Sequence, residues 1–370
     1  MEATAAMPAA TASENGSAGA VDVARVEVVA PNFKRRLSGV TSTIVQLVPL
    51  QAETLRIATL GPGLPERLPR IRWWQAFSLL RRPLGRRFRI WHARRNVEMV
   101  GGIVLRDLLR APLKLVFTSA AQRDHRRFTK WLIRRMDSVI ATNPRSGRFL
   151  EVPHTVIMHG VDLALFHPPR GPDDDFSASG LPGKHAVGCF GRVRHQKGTD
   201  LFVDAMIALL PRFPDWTAVI TGRVTTEHRA FADDLEQRVA GSGLSDRIVF
   251  LGEVPDIKVW YRRISLYVAP SRNEGFGLTP LEAMASHTPV VASDAGAYAD
   301  LIVQDATGFV VPAGDGEGLR SAIERYLADP ALRAAHADNA LADVRARFPL
   351  EREAKAIAAV YEEVWGRSGR

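Results

Sequence analysis

The sequence predicts an α/β protein made of two doubly wound domains facing a cleft, and three observations carry that expectation. The chain has 370 residues, more than one hydrophobic core ordinarily fills. Strand and helix signals alternate through both halves, the pattern of mainly parallel sheets. Between the halves runs Pro168-Pro169-Arg170-Gly171-Pro172-Asp173-Asp174-Asp175, continuing through Ser177, Ser179, Gly180, Pro182 and Gly183. Proline, glycine and charge without apolar periodicity mark a linker.

In the first half, strands are expected at 26–30, 88–92, 113–118, 138–141 and 155–158. A turn over 31–39 leads into an apolar helix from Thr41, and Arg/Leu-rich stretches at 99–110 and 126–136 supply further helices. The second series opens with Ala186-Val187-Gly188-Cys189-Phe190. Its later strands fall at 218–221, 248–251, 266–269 and 290–292, and helices at 319–327 and 351–365 close the chain. The resulting division is a disordered tail over 1–22, a first domain over 23–168, a linker over 169–184 and a second domain over 185–349. No repeat of solenoid period occurs. Ligands of doubly wound folds bind beyond the carboxyl ends of the strands, so the turns after strands are the places to seek chemistry.

Composition excludes several classes. A hydrophobic content of 46% with 24% charged residues describes an ordinary globular protein. No run of 18 apolar residues is present, so no membrane-spanning helix is expected. The first 20 residues hold two Glu and no Lys or Arg, unlike a secretory signal. The single Cys189 cannot form an internal disulfide, which suits a reducing, cytoplasmic setting. Residues 1–170 carry 27 Lys+Arg against 12 Asp+Glu, and 67–135 alone carry 19 against three. The first half is therefore expected to meet something anionic; nucleic acid, anionic lipid and an acidic glycan all qualify.

Two segments carry the chemistry. The first is Pro270-Ser271-Arg272-Asn273-Glu274-Gly275-Phe276-Gly277-Leu278-Thr279-Pro280-Leu281-Glu282-Ala283-Met284, which follows a strand and opens a helix. Thr279 reads as an N-cap and Pro280 as the first helical residue. The glycines allow backbone to approach a ligand, and a helix start offers N–H groups to an anion. Glu274 in the loop and Glu282 in the first turn place two carboxylates where they can grip hydroxyls of a nucleotide sugar. A loop acid beside a first-turn Glu that satisfies the helix dipole is the plainer alternative. The second segment, Gly191-Arg192-Val193-Arg194-His195-Gln196-Lys197-Gly198, also follows a strand. Arg192 and Lys197 on a glycine-bounded turn bring two cations to a diphosphate, where a solvated basic turn is the alternative.

These residues resemble the retaining glycosyltransferases of family 4, which have the GT-B fold of two Rossmann-like domains facing a cleft. The matching pieces are Glu274 with Glu282, the loop 191–198, His159-Gly160-Val161-Asp162 followed by Phe166 and Pro168, and Ser38-Gly39-Val40. The resemblance implies that Arg192 and Lys197 bind the diphosphate, Glu274 the donor sugar and Glu282 the ribose. Gly252 and Val254 would lie by the base, Gly275, Phe276, Gly277, Leu278 and Thr279 would complete the donor site, and Gly39 would face it across the cleft. A carboxy-terminal helix over 350–370 would return to the first domain.

A narrower likeness rests on Trp91-His92-Ala93-Arg94-Arg95-Asn96-Val97-Glu98-Met99 and Phe117-Thr118-Ser119-Ala120-Ala121-Gln122-Arg123. These look like the lipopolysaccharide core mannosyltransferases that act on the sugar acid Kdo. GDP-mannose is then the implied donor and a Kdo-bearing lipid A precursor the anionic acceptor, met by His92, Arg94, Arg95, Asn96, Gln122 and Arg123. Many family members place a histidine where this chain reads Thr118-Ser119-Ala120; His92, expected to be catalytic with Glu274, Arg192 and Lys197, or His125 would substitute.

Other features have plainer readings. Asp173-Asp174-Asp175 imitates a metal motif but sits in the linker, and neither metal nor cofactor is expected. Arg72-Trp73-Trp74-Gln75-Ala76-Phe77-Ser78-Leu79-Leu80-Arg81-Arg82 suits either the surface of an anionic inner membrane, as a peripheral contact, or an amphipathic helix with its aromatics inward. Competing functions are a different nucleotide-sugar transferase, a nucleotide-sugar epimerase and a basic nucleic-acid-binding protein. The last lacks any helix-turn-helix, zinc or RNA-binding signature, and no nucleic acid is expected as partner.

Overall fold

The computed structural model describes residues 21–35 and 39–367. Most of the tail expected over 1–22, and Ser38 of the expected first turn, lie outside the described residues. The first half carries β1 (Val28–Pro31), β2 (Ile57–Leu60), β3 (Arg70–Ile71), β4 (Arg89–Ala93), β5 (Leu113–Ser119), β6 (Ser138–Ala141) and β7 (Thr155–Val156). They form a sheet in the order β3-β2-β1-β4-β5-β6-β7, with parallel registers at β2–β3, β1–β2, β1–β4, β4–β5 and β6–β7. The second half carries β8 (His185–Phe190), β9 (Trp216–Thr221), β10 (Ile248–Gly252), β11 (Leu266–Ala269), β12 (Val290–Ser293) and β13 (Gly308–Val311). Their order is β10-β9-β8-β11-β12-β13, again parallel. The expected α/β class with two parallel sheets holds.

Strand β8 shows how the second sheet is covered. Val187 and Cys189 point into one apolar cluster and Ala186 and Phe190 into another, alternating along the strand as pleating requires. Both faces are buried, so the strand reads as a continuous apolar run. In each sheet the order reverses beside the first strand, between β1 and β4 and between β8 and β11. Such reversal points open the crevice where ligands settle in this class.

The described chain divides into two compact units. One holds residues up to Phe117, Leu132–Ser138 and the chain from Val360; the other holds Thr118–Trp131 and Val139–Ala359. Within the second unit Val161 N donates to Phe348 O at 2.9 Å and Leu350 N to Val161 O at 3.1 Å. His159 Nδ1 lies 2.6 Å from Glu353 Oε1, and Gly160 N donates to Glu353 Oε2 at 2.8 Å. A Cβ on Gly160 would meet the Leu350 backbone at 2.7 Å. The His159-Gly160-Val161 motif thus seats the final helix, Leu350–Gly366. No helix among the described residues is long and apolar enough to cross a membrane.

The linker expected over 169–184 is not a free spacer. It forms two short 3₁₀ turns, Pro172–Asp174 and Phe176–Ser179. Phe176 is buried in the core, and Asp174 Oδ1 accepts from Arg262 Nε at 2.6 Å. The proline- and glycine-rich flanks hide one large apolar anchor. Phe176→Ala is therefore expected to cost about 3 kcal/mol, the usual loss for a buried aromatic, seen as a lower urea midpoint at unchanged slope. A free linker would show no shift.

Candidate functional site

Both predicted loops leave the carboxyl ends of the reversal strands β8 and β11. After β8 the chain turns at Gly191, with φ +131°, and passes through a 3₁₀ turn His195–Lys197 to Gly198 and the helix Thr199–Leu209. Gly198 has φ +70°, and a Cβ there would overlap the Pro270 carbonyl oxygen at 1.9 Å. Only glycine permits the first loop to lie this close to the second. Arg272 then fastens the two loops. Its backbone N donates to Gln196 O at 2.9 Å, one guanidinium nitrogen donates to His195 O at 2.8 Å, and the fork holds Asp200 through two 2.7 Å bonds.

That fastening brings Lys197 against Glu274, whose Oε2 accepts from the ammonium group. Glu274 Oε1 accepts from Gly275 N at 3.1 Å. Arg192, Lys197, Ser271, Tyr267, Thr279 and Tyr298 line one small cavity beside the pair. The structure thus gathers the two cations and the loop carboxylate that the motifs singled out. Cys189 also borders this cavity, but burial pushes its thiol up to about 12, so it is inert packing.

Glu282 stands in the helix Thr279–Ala285, where Tyr261 Oη donates to its Oε2 at 2.8 Å. Burial raises its carboxyl above the usual range, while the Tyr261 bond and the Lys197 charge oppose that rise. Thr279 is the first helical residue rather than the cap, because Leu278 precedes it in helical conformation and Pro280 takes the second place. Gly277, at φ +86°, lets the loop pass Tyr298, whose ring a Cβ would overlap at 2.2 Å. Gly252 ends β10 at φ +66°, exposed, and accepts from Gly222 N at 2.7 Å; Val254 lies half-buried two residues on. The Phe276 side chain, expected in the donor site, belongs instead to the core, edge-on to His159 at 4.8 Å, so only its backbone remains for a ligand.

Several expected acceptor residues are otherwise employed. His92 is wholly buried, its Nδ1 2.6 Å from Tyr361 Oη, and burial holds its pKa well below 6.5. It is a core histidine here, not a group facing substrate, because the last helix covers it. Arg95 is likewise committed. Its guanidinium donates to Asn32 Oδ1 and Glu98 Oε1 at 2.7 Å each and to Thr41 Oγ1 at 2.9 Å. It ties the two sides of the first turn to the helix Asn96–Ile103. Arg94 N donates to Glu98 Oε2 at 2.8 Å, with its side chain half-buried. Gln122 Nε2 donates to Gly275 O at 2.9 Å within the second unit, which makes it a support for the Glu274 loop. Asn96 and Arg123 are exposed, and Gly39 begins the helix Gly39–Ala52. Arg272, Asp200 and Tyr261 were not singled out by the sequence; their partners lie 72, 72 and 21 residues away, beyond any local pattern.

Residues 184–329 match the family described as glycosyl transferases group 1. The chain is 70% identical over 346 residues to the lipopolysaccharide core biosynthesis mannosyltransferase LpcC of Rhizobium leguminosarum bv. viciae, covering 93% of this chain and 98% of that one. It is 56% identical over 348 residues to LpsB of Rhizobium meliloti (strain 1021), a protein of the same description, covering 93% and 99%. The crystal structure of Anabaena HepE in complex with UDP and glucose superposes with a TM-score of 0.77 at 20% identity, over 91% of this chain and all of that one; that likeness speaks to the fold alone. The chain belongs to the family of lipopolysaccharide core mannosyltransferases within the group 1 glycosyltransferases, and it has the GT-B fold.

The burial of His92 has a pH consequence. Above pH 6.5 the ring is neutral whether the chain is folded or not. Below 6.5 the unfolded chain takes up a proton that the buried ring resists, so this histidine lowers stability as pH falls. In His92→Asn that penalty is gone. The stability gap between wild type and variant should shrink on acidification below 6.5, by up to about 1.4 kcal/mol per pH unit, in urea midpoints compared at pH 7.5 and 5.5.

Proposed function

We propose that the chain moves mannose from GDP-mannose onto Kdo of a lipopolysaccharide inner core carried on a lipid A precursor, with retention at the anomeric carbon. The observation that carries the transfer chemistry is the meeting of Lys197 with Glu274 beside Arg192 at the sheet's reversal point. The choice of mannose and of a lipopolysaccharide core acceptor is supported by the 70% and 56% identities with proteins of that description. GDP and Kdo follow from the likeness noted in the sequence.

In this reading Arg192 and Lys197 hold the diphosphate. As the bond from the anomeric carbon to the phosphate oxygen lengthens, negative charge gathers on the leaving group. Fixed cations stabilise that charge more than the ground state. Glu274, oriented by Lys197 and by Gly275 N, accepts from hexose hydroxyls, and Glu282, held by Tyr261, accepts from the ribose. The acceptor hydroxyl approaches on the face the diphosphate leaves, and its proton passes to the departing phosphate oxygen. Two side-chain cations supply the positive charge, so no metal is assigned a role. EDTA is expected to leave turnover unchanged.

Donor choice is tested by thermal shift against GDP-, UDP- and ADP-sugars. GDP-mannose should raise the melting temperature with concentration, corresponding to about 2.7 kcal/mol at a hundredfold excess over Kd; a shift with another sugar alone would replace this donor. Lys197→Ala and Arg192→Ala should each lower kcat by roughly 10²–10³-fold, as loss of one preorganised donor does. Glu282→Ala should chiefly raise the donor KM. Full turnover in either cation variant, or transfer to an acceptor lacking Kdo at equal rate, would overturn the assignment.

A further inference from the structure

The segment Trp73–Leu80 folds as a 3₁₀ helix in the first unit, with its apolar side chains turned outward. Trp73 is 60% exposed, Trp74 68% and Phe77 79%. Fraying does not explain this, because the segment is anchored from beneath. Leu79 is fully buried. The wholly buried Arg89 donates to Leu79 O and Arg81 O on this segment, and to Val23 O and Val26 O beside it. The backbone is thus held with three large rings in water. Phe33 packs against Trp73 with ring centroids 5.8 Å apart, and its ring also borders Gly101 of the helix Asn96–Ile103. Onto solvent that helix and the π turn after it present Val97, Val100, Val104 and Leu108, spaced as one stripe. Two apolar groups therefore flank one ring.

The surrounding charge has a single sign. Residues 67–97 contain ten arginines and no Asp or Glu. Arg67, Arg70, Arg72, Arg81, Arg82 and Arg87 among them are exposed. Outward Trp and Phe amid arginines match the interface of an anionic bilayer, where indole rings sit at headgroup depth and guanidinium groups meet phosphates. We infer that this face docks the protein on an anionic lipid surface through Trp73, Trp74 and Phe77. Docking is a property of the first unit's surface and does not depend on which sugar is transferred.

The experiment is co-sedimentation of the full chain, with neither donor nor acceptor, on vesicles of phosphatidylcholine alone or mixed with phosphatidylglycerol. Partition onto the mixed vesicles should be at least about tenfold higher and should weaken with salt. Trp73→Ser/Trp74→Ser/Phe77→Ser and Arg81→Gln/Arg82→Gln should each lose about tenfold at unchanged melting temperature. Brominated phosphatidylglycerol should quench the wild-type tryptophan fluorescence, a reading that needs no variant. Equal partition onto both vesicles, unquenched fluorescence, or wild-type binding by the triple variant would overturn the proposal. So would a wild-type dimer that the triple variant dissolves without change in vesicle binding, since the face would then cover a second copy. Loss of mannosyl transfer with vesicle binding intact would count against the proposed function and leave docking standing.

Discussion

The candidate site rests on how closely two loops can approach. Lys197 reaches Glu274 because the chain at Gly198 lies against the Pro270 carbonyl, where any β-carbon would overlap it. Arg272 holds that approach by bonding the first loop's carbonyls and by its fork on Asp200. Bidentate guanidinium–carboxylate pairs fix direction as well as distance. The parts are ordered by dependence: glycine grants the proximity, arginine locks it, and the lysine–glutamate pair becomes a fixed point on which a diphosphate and a sugar can be arranged. A loop pair that had to close on its ligand would spend binding energy on ordering; this one has that order built in.

The same residue type serves opposite ends in the first unit. The basic excess is plain in the sequence, but a charge count cannot separate its uses. Arg89 is buried and spends its donors on four backbone carbonyls. Arg95 is internal, bound to Asn32, Glu98 and Thr41. Arg86 bridges Glu27 and Glu362 and lies over the Trp365 ring at 4.0 Å. Arg67, Arg70, Arg72, Arg81, Arg82 and Arg87 are exposed in the stretch that holds Trp73 and Trp74. Arginine can do all of these because its planar group is weakly hydrated, always charged and rich in donors. The anionic partner inferred from net charge thus rests on a smaller set of arginines than the count suggests.

What the sequence made legible was local. A strand, a glycine-bounded basic turn and a helix lie within about twenty residues, and the loops around Arg192, Lys197 and Glu274 stand where that pattern put them. Both parallel sheets follow from alternation of apolar strands and helices. The strands β2 and β13 were missed although equally short ones such as β6 and β11 were read, so run length does not separate them. His92 was misread because the end of a central strand serves core and site residues alike. The deciding neighbour is Tyr361, 269 residues away. The break at 169–184 was legible from proline and glycine, yet its path was set by Phe176 and by Asp174 on Arg262, which composition does not weigh.

Gln122, expected to meet an acceptor, is instead bonded to the loop that carries Glu274. Its amide holds the Gly275 carbonyl, and Gly275 N in turn donates to Glu274. A chain of three residues therefore runs from the segment after β5 to the carboxylate paired with Lys197. The backbone there is close as well: a Cβ on Gly275 would stand 3.4 Å from Ala120 O, at ordinary van der Waals contact. The small residues Ser119-Ala120-Ala121 suit this contact. Their smallness admits the Glu274 loop, and Gln122 fixes it there. Orientation of the Glu274 carboxylate is thus borne by Lys197 and by the Gly275 amide, with Gln122 holding that loop from the segment after β5.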